Sequence, residues 1–256
     1  TMNDNIFFSI ICPTYNSVKF IERNIYSLIN QNYKNFEVIY SDDGSTDETT
    51  DIILNNKKKF YDKKIQFSLL KNNHRGPGAA RNFAIRNSKY EWISFLDSDD
   101  EWESSKLAKV EMAIKNNPTS NCIAHNELFK KKDNLIQENN YSKYFNIKKL
   151  VYNKLFKKNF LSTSSITLKK ELIIKANYFD ETLMNAQDYD MWLKIGDNFK
   201  FSFIDEFLGT YYERDGNITS TPYKKKILNL LKILKKNKNS VSNFQYYYKF
   251  LRLLIN

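Results

Sequence analysis

The sequence contains little cysteine and little histidine. Among its 256 residues there are only two of each: Cys12 and Cys122, His74 and His125. A disulfide framework and a zinc site are therefore excluded, because each requires a denser set of these residues. Both cysteines lie in apolar runs, so we expect buried free thiols in a reducing compartment, which favours a cytoplasmic protein. The two histidines are expected to be structural or to face solvent.

Long apolar segments are also lacking. No run approaches the roughly 18 apolar residues that a membrane-spanning helix needs, and the first residues do not have the layout of a signal peptide. We therefore expect neither secretion nor membrane spanning. Hydrophobic residues make up 41% of the sequence and aromatic residues 15%. This is enough for a sizeable core, so the sequence argues against wholesale disorder.

Arginine is scarce although the chain is basic. The formal net charge is +11, yet only six of the 40 basic residues are arginine, the preferred reader of bases and phosphates. Basic and acidic residues number 16 and 16 in residues 1–118, 15 and 13 in residues 119–222, and nine and none in residues 223–256. The charge excess therefore belongs to the last segment, which argues against a nucleic-acid-binding module, although that remains a minor alternative.

Short apolar strands alternate with helical segments in the first half of the chain. Strands are predicted at residues 7–12, 36–40, 65–70 and 92–96. Helices are predicted near residues 18–31, 46–54, 79–87 and 104–117. This alternation is typical of βαβ units and a parallel sheet, which binds ligands at the carboxyl ends of its strands. The second half is less regular and indicates only a strand within 162–168 and a helix over 187–196.

Two carboxylates follow the fourth predicted strand, in Asp97-Ser98-Asp99. Carboxylates one residue apart at a strand end can face one cleft and hold a hard divalent cation such as Mg²⁺ or Mn²⁺. The alternative is an acidic helix start, in which Asp99, Asp100 and Glu101 complement the dipole of the next helix. These residues alone leave both alternatives open.

Three other charged positions allow a functional and a structural interpretation. Asp43, after the second strand, could bond a base or a sugar hydroxyl, or it could form a turn and helix cap with Asp42, which the residues favour. Asp188 could be a general base in the cleft or could only complement its helix dipole. Arg81, after a Gly-Pro-Gly sequence, could reach a phosphate, or it could be solvated or salt-bridged.

Five short segments share the order and spacing of a known enzyme family. They are SIICPTYN at 9–16, SDDGSTD at 41–47, GAARN at 78–82, FLDSDD at 95–100 and QDYDMWL at 187–193. Together they resemble glycosyltransferase family 2 over roughly residues 6–220, and chance agreement of all five is remote. The resemblance implies the GT-A fold, a Rossmann-like α/β fold with a mostly parallel central sheet flanked by helices.

The resemblance also implies a reaction and a set of site residues. The reaction is the inverting transfer of a hexose from a UDP-sugar to a hydroxyl group of a glycan or lipid-linked glycan, in bacterial surface polysaccharide synthesis. Asp188 would be the catalytic base, and Asp99 would hold Mn²⁺ or Mg²⁺, with Asp97 as a second candidate ligand. Tyr15 would lie beside the base and Asp43 would bond the uracil imide. The donor-binding residues would be Pro13, Thr14, Tyr15, Asn16, Asp43, Arg81, Asp97 and Ser98, joined by Arg214 at a position where the chain departs from the family.

Two positions depart from the family pattern. Gln187 precedes the expected base where many members have glutamate, and this change leaves the base itself intact. Arg214 stands where many members have a histidine; it cannot ligate a metal but could pair with the diphosphate, so strict metal dependence is open. An inactive nucleotide-sugar-binding protein is the alternative function, and the intact Asp97, Asp99 and Asp188 argue against it.

Residues 223–256 are expected to form a basic helical extension of a catalytic domain at 1–222. Within that domain, about 1–118 would bind the nucleotide and about 119–222 the acceptor. The extension carries an apolar stripe at helical spacing, formed by Ile227, Leu230, Leu231 and Leu234. Lysines lie on the opposite side of the predicted helix. A basic amphipathic helix can lie on an anionic membrane surface, which would make the protein peripheral on the inner face of the cytoplasmic membrane. It can equally pack on the catalytic domain, and the sequence leaves both alternatives open.

Overall fold

Four parallel strands make up the first half of the central sheet. The structure is a computed structural model that describes residues 5–143, 151–213 and 223–255. The strands lie in the order β3-β2-β1-β4 and are β1 (Phe8–Thr14), β2 (Phe36–Asp42), β3 (Gln66–Lys71) and β4 (Trp92–Phe95). The helices between and after them are α1 (Ile21–Ile29), α2 (Thr49–Asn55), α3 (Lys57–Asp62), α4 (Pro77–Asn87) and α5 (Lys106–Asn116). The βαβ alternation predicted for this half is therefore present.

Five further strands continue the sheet beyond β4 in the described part of the chain. They are β5 (Glu101–Trp102), β6 (Cys122–Lys130), β7 (Ile136–Asn139), β8 (Ile166–Lys169) and β9 (Phe201–Tyr212). β8 pairs antiparallel with both β4 and β6, and β9 runs parallel to β6. β5 and β7 add antiparallel edges to β9 and β6. In the described part of the chain before the C-terminal extension, the remaining α-helices are α6 (Val151–Lys157), α7 (Lys170–Lys175) and α8 (Gln187–Ile195).

The second half departs most from the sequence-based expectations. β6 was not predicted. Its buried residues His125, Asn126 and Glu127 are polar, so the segment lacks the run of apolar residues by which a buried strand is recognised. The strand expected within 162–168 begins only at Ile166, since the three preceding residues form a 3₁₀ turn. The helix expected over 187–196 is present as α8.

Both faces of the sheet are covered by apolar residues. Successive residues of β1 alternate between two cores: Phe8, Ile10 and Cys12 pack into one and Ile11 into the other. This double coverage explains why the parallel strands read as continuous apolar runs rather than as alternating ones. Cys12 and Cys122 are both buried free thiols, as expected.

Helices α9 (Tyr223–Lys236) and α10 (Asn243–Ile255) pack against the core formed by the preceding part of the chain. Ile233 and Leu234 are 1% and 2% exposed and belong to the same core as Phe95 of β4. Partly buried residues complete the contact: Leu230, Leu231, Val241, Tyr246, Phe250 and Leu253. The extension therefore packs on the rest of the protein through its inner face, which is one of the two alternatives that the sequence left open. Contact with a membrane remains a prediction. None of the described helices combines the length and the apolar character needed to cross a bilayer.

Candidate active site

A cavity of about 950 Å³ opens where β1, β2 and β4 end. It is lined by every described residue that the sequence predicts to bind the nucleotide or the cation: Pro13, Thr14, Tyr15, Asn16, Asp43, Arg81, Asp97, Ser98 and Asp99. The prediction for Arg214 lies outside the described residues. Further lining residues were not predicted, among them His74, Gly76 and Met184.

One wall of the cavity is a pair of stacked rings. The centroids of Tyr15 and His74 lie 4.2 Å apart, with 25° between the ring planes. Tyr15 is 44% exposed and lines the cavity, so it can stack a planar base. His74 was expected to be structural or to face solvent. Its side chain is half-exposed, yet it helps to form the site; its loop position at the sheet edge was the only sequence signal for this.

The loop after β3 holds Asp43. The Asp43 carboxylate accepts hydrogen bonds from the backbone amides of Arg75 and Gly76 at 2.9 and 2.8 Å, and His74 Nδ1 lies 3.0 Å from Asp43 Oδ2. Gly76 has φ 94°, a left-handed conformation that side chains other than that of glycine rarely tolerate. The glycine therefore lets the loop turn its amides toward the carboxylate.

The loops after β1 and β2 are fastened to each other. The hydroxyl of Thr14 donates to Asp42 at 3.3 Å, and the amide of Asn16 donates to Ser45 Oγ at 2.9 Å. The side-chain oxygen of Asn16 accepts from the amide of Thr46 at 2.9 Å. Asp42 accepts from the amide of Ser45 at 2.9 Å, so Asp42 makes the turn while its neighbour Asp43 lines the cavity.

Arg81 is buried and paired with Asp97. Its Nη2 donates to Asp97 Oδ1 at 2.6 Å, and the residue is 5% exposed. The guanidinium carbon also lies 5.6 Å from the centroid of the Phe179 ring. Arg81 therefore forms a salt bridge, as one of the alternatives predicted, and both partners line the cavity. Because the pair has little net charge, Arg81 gives a bound diphosphate less positive potential than an unpaired arginine would.

The Asp97-Ser98-Asp99 turn is anchored at each residue. The contacts are Asn24 Nδ2 to the Asp97 carbonyl at 3.0 Å, Ser17 Oγ to Ser98 Oγ at 2.7 Å and Arg23 Nη2 to the Asp99 carbonyl at 2.7 Å. The acidic-helix-start alternative for this segment is wrong, because Glu101 and Trp102 form β5 and the next helix begins only at Lys106.

The buried hydroxyl group of Ser164 bonds two residues of this turn. The amide of Asp97 donates to Ser164 Oγ at 3.1 Å, and Ser164 Oγ donates to Asp100 Oδ2 at 2.6 Å. Burial raises the pKa of Asp100 well above its ordinary value, and the charges of Asp99 and Asp97 add to this effect. The 3₁₀ turn that shortens β8 thus positions the serine that fixes the backbone of Asp97.

Two buried titratable residues that do not line the cavity, Glu127 and Lys106, were not predicted from the sequence to be buried. Glu127 accepts hydrogen bonds from the hydroxyls of Tyr141 at 2.9 Å and Ser162 at 3.2 Å, and burial raises the pKa of Glu127 to about 7. Lys106 lies 3.5 Å from the centroid of the Trp102 ring, and burial lowers the pKa of Lys106 well below its ordinary value. Both groups are fully enclosed by protein.

Asp188 lies in the first turn of α8. The cavity lining does not include it, but the charges of two lining residues, Arg81 and Asp97, act on its carboxylate. Its carboxylate accepts a hydrogen bond from Asn159 Nδ2 at 2.9 Å. Burial raises the pKa of Asp188, whereas the bond from Asn159 and the charge of Arg81 lower it and the charge of Asp97 raises it further. A carboxylate whose pKa is raised is a stronger base than an ordinary aspartate, so Asp188 can accept a proton from a hydroxyl group bound nearby.

Comparison with models of protein families decides the family. Residues 9–175 match the model for glycosyl transferase family 2. The chain belongs to glycosyltransferase family 2. The resemblance inferred from the five segments is thereby confirmed, and the protein is a glycosyltransferase.

Relatives of this glycosyltransferase include named bacterial enzymes. Over 197 residues the chain is 34% identical to the UDP-Glc:alpha-D-GlcNAc-diphosphoundecaprenol beta-1,3-glucosyltransferase WfgD of Escherichia coli, a match that covers 75% of this chain and 70% of WfgD. It is 30% identical over 220 residues to the amylovoran biosynthesis glycosyltransferase AmsB of Erwinia amylovora, covering 81% of this chain and 70% of AmsB.

Solved structures share the GT-A fold of this glycosyltransferase. The S. aureus TarS 1-349 structure in complex with UDP-GlcNAc has a TM-score of 0.70 at 24% identity, covering 90% of this chain and 67% of that one. The mannosyltransferase PcManGT from Pyrobaculum calidifontis, in complex with GDP-Man and Mn²⁺, has a TM-score of 0.70 at 18% identity, covering 98% of this chain and 69% of that one. At these identities the likeness shows the fold alone.

The donor atoms of this glycosyltransferase fit a hard divalent cation held jointly with a substrate. Asp97 and Asp99 supply carboxylate oxygens at one wall of the cavity, and one oxygen of Asp97 is engaged by Arg81. Among the residues that the structure describes, no three His, Cys, Asp or Glu side chains are grouped closely enough for a protein-only metal site. Mg²⁺ is typically bound by one or two carboxylates together with substrate phosphates, which matches this donor set.

Proposed function

We propose that this glycosyltransferase transfers a hexose, with inversion, from a UDP-sugar to a hydroxyl group of a glycan or lipid-linked glycan. One observation carries the proposal: a single cavity gathers the Tyr15 ring and the carboxylates of Asp43, Asp97 and Asp99, and the charges of two lining residues act on Asp188. The ring suits a nucleobase, the three cavity carboxylates suit a base N–H and the cation of a diphosphate, and Asp188 suits an acceptor hydroxyl. The nucleotide-binding half, at about residues 1–118, would bind the donor.

The nucleoside is bound where β1 and β2 end. The uracil ring stacks on the exposed Tyr15 ring, and its imide N–H donates to Asp43. Both Asp43 oxygens already accept backbone amides, but a carboxylate oxygen has a second lone pair, so the additional bond is available. Pro13, Thr14 and Asn16 shape this end of the cavity.

The diphosphate lies against Arg81 and the turn at Asp97-Ser98-Asp99. Mn²⁺ or Mg²⁺, held by Asp99 with Asp97 as a second ligand, would offset the charge that develops on the leaving diphosphate. Arg81 holds the Asp97 carboxylate in one orientation through the 2.6 Å bond. Arg214 is proposed to pair with the diphosphate as well.

Asp188 serves as the base of a single displacement. It accepts the proton of the acceptor hydroxyl while that oxygen attacks the anomeric carbon from the face opposite the diphosphate. The new carbon–oxygen bond forms as the bond to the diphosphate breaks, so UDP leaves and the configuration is inverted. No residue has to form a covalent bond to the sugar.

The acceptor is bound by the second half of the domain, at about residues 119–222. We propose a lipid-linked glycan of a bacterial surface polysaccharide, because WfgD is named for a diphosphoundecaprenol acceptor and AmsB for amylovoran biosynthesis. A lipid carrier would place the reaction at the inner face of the cytoplasmic membrane, where the protein would act peripherally. The basic extension at 223–256 would follow the domain at 1–222.

Release of UDP in the presence of Mn²⁺ tests the proposal. The protein is incubated with UDP-glucose, UDP-galactose and their N-acetyl forms, with GDP- and dTDP-sugars as competing donors. Asp188→Asn is expected to keep UDP binding and to lower transfer by about 10²-fold or more, because a positioned base contributes 10²–10⁴-fold. Asp62 is an exposed aspartate at the end of α3, so Asp62→Asn serves as the control and should leave both UDP binding and transfer unchanged.

Different outcomes contradict different parts of the proposal. Full transfer by Asp188→Asn would remove this residue from the role of base. UDP binding without transfer by the wild-type protein, across donors and acceptors, would favour the inactive nucleotide-sugar-binding alternative. Release of GDP or dTDP in preference to UDP would overturn the uracil assignment at Asp43.

A further inference from the structure

Helix α10 carries two apolar faces, and only one of them is used by the core. Tyr246, Phe250 and Leu253 pack inward against the main hydrophobic core. On the opposite side four large side chains are exposed at i, i+3, i+4 and i+7 spacing: Phe244 (79%), Tyr247 (53%), Tyr248 (56%) and Leu251 (54%). This spacing places the four on one helical face that points away from the core.

The preceding helix also has an exposed side, and this side carries cations. Leu228 of α9 is 62% exposed, and Lys232 and Lys235 are exposed at i+4 and i+7 from it, so the three share one face of α9. Its opposite side holds the buried residues Ile233 and Leu234. We name the seven outward residues the outer face: Leu228, Lys232, Lys235, Phe244, Tyr247, Tyr248 and Leu251.

Two other lysines of the extension bond to residues of α8 and so connect the extension to that helix. Lys236 Nζ lies 3.0 Å from Asp190 Oδ1 and also bonds Asp180. Lys249 donates to the hydroxyl of Tyr189 and to the carbonyl of Phe156, and burial lowers the pKa of Lys249 to about 8. Tyr189 and Asp190 follow Asp188 directly in sequence. The outer face is therefore held in a set orientation relative to the expected base.

We propose that the outer face docks on the surface of an anionic lipid bilayer. Aromatic and aliphatic side chains with neighbouring lysines suit the boundary between acyl chains and anionic headgroups. Residues 223–256 contain nine basic residues and no acidic one, so the charge complements anionic lipid. The same charge disfavours a second copy of the chain as the occupant, because a symmetric contact would bring like charges together.

Docking in this way would turn the catalytic site in a fixed direction relative to the membrane. Because Lys236 and Lys249 connect the extension to the residues after Asp188, the protein could not rotate freely about a flexible tether. The inference rests on the proposed lipid-linked acceptor for its biological purpose, but not for its physical basis, so vesicle binding can be measured without any acceptor.

Cosedimentation of the full chain with vesicles tests the proposal. Phosphatidylcholine vesicles are compared with vesicles that also contain phosphatidylglycerol, and binding is expected only to the second kind. Replacing Phe244, Tyr247, Tyr248 and Leu251 together by Gln should weaken binding by about tenfold or more. Lys232→Gln with Lys235→Gln should weaken it roughly fivefold for each lysine removed. The matched control is Met112→Gln with Ile174→Gln, two exposed apolar residues on α5 and α7, which should bind like the wild type.

UDP release and the melting temperature are measured on every variant in parallel. Unchanged UDP release and melting temperature with lost vesicle binding would support the docking surface. Absence of vesicle binding by the wild-type protein that does release UDP would overturn this inference and leave the proposed function standing. A dimer that dissociates in the fourfold variant, or equal binding to both kinds of vesicle, would also overturn it.

Discussion

At the residue scale, Asp188 is subject to opposing influences on its pKa. Burial raises the pKa, and the hydrogen bond from Asn159 lowers it. As the proposed base, Asp188 has to be ionised to accept a proton, so we expect activity to be lost as the pH falls through this pKa. Since the net shift is upward, the loss should begin at a higher pH than for an ordinary aspartate.

Asn159→Ala tests this assignment. The substitution removes a hydrogen bond that favours the charged carboxylate, so the pKa of Asp188 should rise further and the acid limb of kcat/KM should move up by about one pH unit. The limb is read from kcat/KM measured across the pH range. Asn87→Ala, which removes an exposed asparagine whose bond lies within α4, is the control. An acid limb that stays in place in Asn159→Ala would mean that another group sets it.

Glu127 should make the stability of the fold depend on pH. Its pKa is about 7 in the folded protein and about 4.5 when unfolded, so the folded state binds more protons between these values. The stability contributed by the protonated form is therefore complete below about pH 4.5 and is lost as the pH rises through about 7.

Glu127→Gln resembles the protonated glutamate and should remove this dependence. The variant and the wild type should be similarly stable in acid, and above neutral pH the variant should be more stable by about 3 kcal/mol. Urea unfolding of both proteins at several pH values gives the difference. A difference that does not change with pH would contradict the raised pKa.

At the element scale, the start of α4 depends on Gly76. Its φ of 94° turns the amides of residues 75 and 76 toward Asp43, and an added Cβ would lie 3.3 Å from the side chain of Met184. The conformation disfavours any residue with a side chain, whereas the contact is with the flexible end of an exposed methionine that can move aside.

Gly76→Ala should therefore lower stability by roughly 1–3 kcal/mol and raise the KM for the nucleotide donor, because Asp43 would lose its backbone partners. Chemical unfolding and donor titrations measure the two effects. Gly78→Ala is the matched control, since Gly78 lies inside α4 and its added Cβ would meet other atoms at 3.4 Å or beyond. Equal effects of the two substitutions would show that the backbone conformation at Gly76 is not what matters.

At the scale of the whole molecule, the C-terminal extension is part of the hydrophobic core. Leu234 of α9 is 2% exposed and packs in the same core as α8, whereas Leu228 of the same helix is 62% exposed. The extension should therefore contribute to the stability of the entire domain rather than unfold separately.

Leu234→Ala is expected to destabilise the protein by about 2–5 kcal/mol, the usual range for a buried leucine. Leu228→Ala, the same substitution on the outward side, should change the free energy of unfolding by about 0.5 kcal/mol or less. A single unfolding transition should be seen in each case. A separate early transition for α9, or equal effects of both substitutions, would show that the extension is independent of the domain.

Much of the first half could be predicted from sequence because its structure is local. Apolar runs such as residues 7–12 end at polar turns, and the parallel order of β1 to β4 follows from the βαβ alternation. The fold family also followed, because five segments kept their order and spacing. Edges such as β5, with only two residues, carry no such local pattern.

The sequence by itself determined the family, the α/β class and which residues are gathered at the ends of β1, β2 and β4, since these depend on local periodicity and on short motifs. The tertiary structure decided what those residues contact. It made β5 follow the Asp97–Asp99 turn, stacked His74 on Tyr15 and engaged Arg81 with Asp97. It also buried Ile233 and Leu234 and left the outer face of α10 exposed. An amphipathic pattern shows that a helix has an apolar face, but only packing against residues distant in sequence determines which face is covered and by what.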